Sequence, residues 1–198
     1  MHCRPPHPKI FPPDSPPAAG RPEEDALLTR ADQAIRAQLI VPEQRELFDY
    51  WRAKSVDGRY PVRADIQPGE LRALLPSLSL LDVVAAGEDM VRLRVRLAGT
   101  RLRDYFGVET TGHFLDEYDL GDQNAYWDAA YREVIGAGRP AQGVIALDAW
   151  KQPNVFQFWL RLPLADAEGR IAMVLGHDAF LQSEKAHALA ERANLRIA

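Results

Sequence analysis

The sequence predicts an α+β fold, in which one antiparallel sheet of five strands carries helices on one face and helical extensions at both ends. Two strand-like segments lie near the middle of the chain and three more lie towards its end. Helical segments separate these two blocks. Short turns rich in glycine and polar residues join the strands within each block, which is typical of antiparallel pairing. Helices between such blocks pack against the sheet.

The bulk properties favour one globular domain with an arm. The chain has 198 residues, a net charge of −4 and 46% hydrophobic residues, which suits a single domain. A negative net charge does not favour a nucleic-acid partner, since such domains are usually basic. No run approaches the 18 apolar residues of a membrane span. The N-terminus lacks the apolar stretch of a secretory signal, so we expect a cytoplasmic location.

Four segments follow along the chain. The first 22 residues hold more than half of the prolines and few large apolar residues, so we expect them to be disordered. In the next segment, Leu47, Phe48 and Trp51 form one stripe of a helix, and Pro42 suits its first turn. The predicted segments are a proline-rich arm over 1–22, a helical extension over 23–57, the sheet domain over 58–180 and a C-terminal helix over 181–198.

The strands are predicted from alternation and from their flanking turns. Apolar residues alternate with arginine from Val91 to Leu97, which is typical of a half-buried strand. Phe156 and Phe158 alternate in the same way with Gln157 and continue to Leu162. The predicted strands are Ser77 to Val84, the strand of Val91 to Leu97, Ala141 to Trp150, Val155 to Leu164 and Arg170 to Ala179.

Short helical pieces punctuated by glycine follow the second strand. We expect Thr100 to cap the first piece and Gly107 to end it. Gly112 precedes another turn, and a longer helix starts near Asp122 and carries a wide apolar stripe. Several short helices over a sheet, in place of one long helix, indicate walls around a hollow. The element order is that of a PAS domain.

Several sequence motifs resemble a known family. They are YW, R-x-D-I-x-P, L-L-P-x-L followed by L-L-D-V, and R-L-x-G-T followed by G-x-x-x-T-G, in this order. They occur between Leu47 and Phe180, and this region resembles the PAS_5 family of bacterial PAS-domain proteins, which is common in alphaproteobacteria. The resemblance implies a PAS fold and a sensory or signalling role. It does not imply a particular ligand.

Aromatic residues fall in the segments that would flank the hollow. This pattern fits either a filled aromatic core or a pocket for a small apolar or aromatic ligand. We expect the aromatic residues of the two walls to face each other, with Met173 and two histidines among them. The candidate pocket residues are Tyr105, Phe106, His113, Phe114, Trp127, Tyr131, Phe156, Phe158, Met173 and His177.

No catalytic, metal or cofactor site is predicted. His177 and Asp178 are adjacent in a strand, so their side chains point to opposite faces and do not form a dyad. No nucleophile elbow, P-loop or dinucleotide motif occurs. A single histidine among apolar neighbours is more typical of a core than of a haem ligand, so haem is not expected. Cys3 is the single cysteine and lies in the arm, which excludes cysteinyl-flavin chemistry within the fold.

A second group of residues is a candidate interface. Arg92, Arg94 and Arg96 share one strand face, which either faces solvent or is covered by acidic residues of the preceding helix. We assign Trp159 to the outer face of the sheet, together with Val155, Gln157 and Arg161. The helix of Phe48 and Trp51 is expected to cover that face, either within one chain or exchanged in a homodimer.

The expected function is a non-enzymatic sensory or adaptor module that binds a small ligand or a partner protein and signals by protein contact. One alternative is a small isomerase-like enzyme on a cone-shaped α+β scaffold. That scaffold has long helices before one continuous curved sheet, whereas here the strands divide two and three. The other alternative is a structural adaptor with a filled core and no ligand.

Overall fold

The computed structural model describes residues 32–56, 58–86, 90–118, 123–147 and 154–192. The predicted arm with Cys3, the turn at 87–89 and the predicted cap Asp122 lie outside these residues. After a helical segment at 32–38, the helices are α1 Pro42–Lys54, α2 Thr100–Phe106, α3 Asn124–Gly136 and α4 Ser183–Arg192. The strands are β1 Leu78–Ala85, β2 Val91–Ala98, β3 Ala141–Ala146, β4 Val155–Ala165 and β5 Ile171–Gln182. In the described parts of the chain, every helix is too short or too polar to cross a membrane.

The five strands form one antiparallel sheet in the order β2-β1-β5-β4-β3. The two blocks seen in the sequence join where β1 pairs with β5, with Leu80 opposite Leu175. This arrangement confirms the predicted fold class. It also places β5 at the centre, so the first and the last strand of the chain are neighbours.

Helix α1 covers one face of the sheet within the same chain. Pro42 occupies its first turn, as predicted, and Phe48 and Trp51 are almost completely buried. They pack with Leu47 against leucines of β1, β4 and β5. The indole Nε1 of Trp51 donates a hydrogen bond to the Pro163 carbonyl of β4 at 2.8 Å. Burial of each large apolar side chain stabilises the fold by about 1.5–3 kcal/mol, so α1 is part of the core.

The short helices cover the opposite face. Residues of β1, β2 and β5 on this face pack against Trp127, Tyr131 and Val134 of α3. Helix α4 packs elsewhere, with Ala186 and Ala190 beside the two phenylalanines of β4 on the α1 side. The helices between the strand blocks therefore lie on one face, and the terminal extensions lie on the other.

The turn into α2 differs from the prediction. Thr100 is the first residue of the helix and Gly99 is its N-cap, with no capping side chain. A Cβ on Gly99 would lie 2.3 Å from the Pro76 carbonyl oxygen, so this position needs glycine because the backbone of another turn comes so close. Gly107 ends α2 in the left-handed conformation, with φ 70°, as predicted.

Candidate functional site

A cavity of about 110 Å³ lies between the sheet and the short helices. Apolar side chains of β1, β2, α2, α3 and the turn at Leu115–Glu117 form its walls. These wall residues are Leu81, Val95, Leu102, Phe106, Leu115 and Trp127. Val108 also lines the cavity and is 41% exposed, so the cavity reaches the surface there.

The floor of the cavity is polar and comes from the sheet. Its residues are almost completely buried. They belong to β1, β4 and β5, with the exception of Tyr131, which lies on α3 and contributes its hydroxyl. Buried polar groups of this kind require hydrogen-bond partners. The floor residues are Ser79, Tyr131, Gln157, Arg161 and Asp178.

An ion pair between Arg161 and Asp178 organises this floor. Two guanidinium nitrogens of Arg161 donate to the two carboxylate oxygens at 2.9 and 3.1 Å. The side-chain amide of Gln157 donates to the same carboxylate at 2.7 Å, and Nε of Arg161 donates to the Tyr131 hydroxyl at 3.2 Å. These hydrogen bonds join Tyr131, Arg161, Asp178 and Gln157 into one connected network.

A glycine makes room for this network. In the antiparallel register, Gly176 of β5 lies opposite Arg161 of β4. A Cβ at Gly176 would lie 2.3 Å from Oγ of Ser79 and 3.0 Å from Nη1 of Arg161. Any larger residue would therefore displace the floor.

Burial and ion pairing together set the protonation states of two floor residues. Burial lowers the pKa of Arg161, but the carboxylate of Asp178 outweighs it and the net pKa is raised, so the guanidinium stays charged. Burial raises the pKa of Tyr131, so its hydroxyl keeps its proton at neutral pH. The floor therefore presents one compensated ion pair and one neutral phenol.

Aromatic rings flank the ion pair. The guanidinium carbon of Arg161 lies 5.3 Å from the ring centre of Trp127 and 5.8 Å from that of Trp159. These two indoles are in contact, with ring centres 5.1 Å apart. The Trp159 Nε1 donates to the Tyr126 hydroxyl at 3.0 Å. Trp159 thus supports the floor from the α3 side of the sheet.

Three of the ten candidate pocket residues lie in the cavity lining, namely Phe106, Trp127 and Tyr131. Tyr105 instead stacks on Phe180, with ring centres 4.1 Å apart. Whether the three lining residues bind a ligand stays a prediction.

His113 and Phe114 do not face the cavity. The His113 side chain is 58% exposed and its Nδ1 lies 3.0 Å from a Glu117 carboxylate oxygen. The ring of Phe114 packs under the Arg92 guanidinium, 3.8 Å from its centre. The chain from Gly112 runs along the outer edge of β2, where Arg94 and Phe114 form a bridge. This pairing places the Phe114 side chain on the face of Arg94, away from the hollow.

The prediction that β4 and β5 present Phe156, Phe158, Met173 and His177 to the cavity is wrong. These four residues lie on the α1 and α4 side of the sheet, where the first two pack against α4. The cavity is lined instead by residues that alternate with these four along the same strands. Every residue of β4 is buried, because helices cover both faces, and alternation alone does not show which face borders the hollow.

The assignment of Trp159 to the outer face is wrong for the same reason: Trp159 lies on the cavity side of the sheet, in contact with Trp127. Helix α1 covers the outer face within the chain, but the residues under Phe48 and Trp51 are Leu160, Leu162 and Leu164. Gln157 and Arg161, also assigned to the outer face, belong to the cavity floor. Val155 is buried as well.

The arginine ladder is paired with nearby carboxylates and not with the acids of α1. Arg94 and Arg96 both donate to Asp82 of the neighbouring strand, at 2.9 and 3.2 Å. Arg92 pairs with Asp116 at 2.7 Å. Contact of these arginines with a second chain stays a prediction.

Sequence reasoning missed most of the polar floor. Gln157 and Arg161 stand in a strand that is otherwise apolar, and a buried arginine needs a buried carboxylate. Asp178 of the neighbouring strand, two residues beyond the position opposite Arg161, is that partner. The expectation that His177 and Asp178 point to opposite faces is confirmed, since Asp178 contacts Arg161 on the cavity side of the sheet, while His177 lies on the other side, between Leu78 and Leu160.

The sequence matches the PAS domain family PAS_5 over residues 40–178. No curated protein is significantly similar to the chain.

Three solved structures share parts of the fold. One is a light-oxygen-voltage domain studied with a flavin analogue, at 13% identity, covering 64% of this chain and 94% of that chain, with a TM-score of 0.46. A Rhodobacter sphaeroides LOV protein has 19% identity, covers 64% and 81%, and has a TM-score of 0.43. An RNA-binding light-oxygen-voltage receptor has 12% identity, covers 88% and 64%, and has a TM-score of 0.44. At TM-scores below 0.5 these similarities say nothing about the contents of the cavity.

Proposed function

The chain belongs to the PAS domain family, and from this we propose that it is a non-enzymatic sensory module that binds a small molecule and signals to a partner protein by contact. The observation that carries the proposal is the cavity, with apolar walls over a buried polar floor. Ligand pockets typically combine apolar walls with a few convergent polar groups. The adaptor alternative predicts a filled core, and such a core does not require a buried polar floor.

The size of the cavity favours a ligand smaller than a flavin. An engineered cavity of about 150 Å³ holds one benzene molecule, and the cavity here measures about 110 Å³. A flavin has three fused rings, so it exceeds this space. The net charge of −4 likewise gives no support to nucleic acid as a partner.

We propose that the signal passes through β4 to α1. Two side chains of α1 bond to the backbone of β4: Gln44 donates to the Phe158 carbonyl at 2.9 Å, and Trp51 donates to that of Pro163. These two carbonyls bracket Arg161, which faces the cavity on the same strand. A ligand that displaces the Arg161 side chain would therefore alter a strand to which α1 is directly bonded.

Native mass spectrometry of the protein as purified, followed by thermal shift with the molecules it carries, tests this function. The expected result is a copurifying small molecule that raises the melting temperature. Leu102→Phe narrows the cavity and should abolish that shift, whereas Met173→Phe, on the opposite face, should preserve it. If no small molecule copurifies and none stabilises the chain, the sensory function is wrong and the adaptor alternative is favoured.

A further inference from the structure

Resting on the proposed function, we infer that the cavity takes an uncharged, single-ring aromatic molecule with an N–H or O–H donor, such as a phenol. The inference comes from three features placed together: a compensated ion pair in the floor, an unpaired buried acceptor in the wall, and aromatic side chains between them. The volume of about 110 Å³ limits the molecule to about one ring.

The charge of the lining selects against ions. Arg161 and Asp178 are the charged residues among those that line the cavity, and they neutralise each other through a bidentate pair. An anionic ligand would meet the buried Asp178 carboxylate, and a cation would meet the buried guanidinium. Since an uncompensated charge in a buried site is strongly unfavourable, the site is suited to a neutral molecule.

Gln123 supplies an acceptor that needs a donor. Its Nε2 donates to the Ala146 carbonyl at 3.3 Å, which fixes the amide because a carbonyl only accepts. Gln123 lines the cavity, and its Oε1 is buried and has no hydrogen-bond partner among the described residues. Buried acceptors are nearly always paired in folded proteins. A ligand N–H or O–H would complete this group.

Tyr131 supplies the complementary donor at the floor. Its hydroxyl accepts from Nε of Arg161 and so retains a proton to donate. Its ring is stacked near that of Trp127, with centres 5.9 Å apart and planes inclined by 29°. A flat ring fits against such aromatic walls. A hydroxyl or amide group on the ring can both donate and accept, so it matches both of these residues.

The test compares three ligands of similar size on the full chain by isothermal titration calorimetry. Phenol carries a donor, fluorobenzene replaces the hydroxyl by a group that does not donate, and benzoate is anionic. We expect phenol to bind about tenfold more tightly than fluorobenzene, the usual effect of one hydrogen bond to a buried group. Benzoate should bind most weakly of the three.

Two variants test whether Gln123 causes the preference for phenol over fluorobenzene. Gln123→Leu should reduce phenol affinity several-fold, towards that of fluorobenzene, and leave fluorobenzene unchanged. Gln142→Leu is the matched control, because this glutamine bonds to Gln38 and lies outside the cavity lining, and it should leave both affinities unchanged. If Gln123→Leu fails to fold, the comparison of phenol with fluorobenzene on the unaltered chain decides alone.

The outcomes separate this inference from the proposed function. If fluorobenzene or benzoate binds as tightly as phenol, the ligand class is wrong while ligand binding by the cavity stands. If Gln142→Leu weakens phenol as much as Gln123→Leu does, the role given to Gln123 is wrong. If none of the three binds, this inference and the proposed single-ring cavity both fail.

Discussion

Replacing Asp178 by asparagine should strongly destabilise the fold. Asp178 is fully buried, and its carboxylate accepts hydrogen bonds from Gln157 and from two nitrogens of Arg161. Asparagine has almost the same shape but no charge, so the buried guanidinium loses its counter-charge. Breaking a buried ion pair by removing one partner costs about 3–5 kcal/mol. Urea denaturation should show this loss as a lower midpoint with an unchanged slope.

Two further variants test the reasoning behind that value. Asp49→Asn removes an ion pair with Arg36 whose side chains are both about half exposed, and it should cost less than about 1 kcal/mol. The double variant Asp178→Leu with Arg161→Met removes both charges and should recover most of the stability that Asp178→Asn loses. A loss below about 1 kcal/mol for Asp178→Asn would refute the view that this pair is desolvated and essential to the floor.

Three other variants test separate parts of the structure. Gly176→Ala should cost about 1–3 kcal/mol in urea denaturation, because its Cβ would overlap Oγ of Ser79; stability equal to the parent would contradict the close approach. Trp51→Phe keeps one aromatic ring but loses the hydrogen bond to Pro163 and leaves a gap in the core, so it should cost more than about 1 kcal/mol; stability equal to the parent would contradict the packing of Trp51 against β4. Burial lowers the pKa of His177 to about 4, so the folded state resists a proton that the unfolded chain accepts near its ordinary pKa of about 6.5. The contribution of this neutral imidazole to the free energy of unfolding is therefore complete above about pH 6.5 and is lost as the pH falls to about 4. His177→Gln should remove much of that decline, and an unchanged pH profile would argue against a buried neutral imidazole.

The fold could be predicted from the sequence because its signals are local. The alternation from Val91 to Val95 depends on one covered face, and the helix of Phe48 and Trp51 has one apolar stripe. Hairpin pairing follows from short turns between such segments. These patterns remain visible whatever the rest of the chain does.

The cavity side of β4 could not be predicted in this way. Both faces of the strand are buried, so Phe158 and Trp159 give equally strong apolar signals. The choice depends on where α1 and α3 pack, which is a property of the whole chain. The buried Arg161 was the better guide, since a charge in an apolar strand requires a partner, and Asp178 provides one across the strands.

The need for glycine at Gly99 was also only partly visible. The sequence places Gly99 at the junction between a strand and a short helix. In the structure its φ is −65°, which most residues adopt easily. The constraint is instead the carbonyl oxygen of Pro76, more than 20 residues earlier in the chain, and no local pattern contains that contact.

The continuous burial of β4 has a consequence for how this domain could diversify. Along this strand, Gln157 and Arg161 line the cavity, while Phe158 and Leu160 pack against the terminal helices. The two sets alternate along the strand, so they lie on opposite faces of the sheet. Exchange of the odd-numbered residues of β4 among relatives would therefore change the lining of the cavity and leave the packing of the helices intact. A few point substitutions would then give the domain a different ligand while it keeps the same contact with its partner.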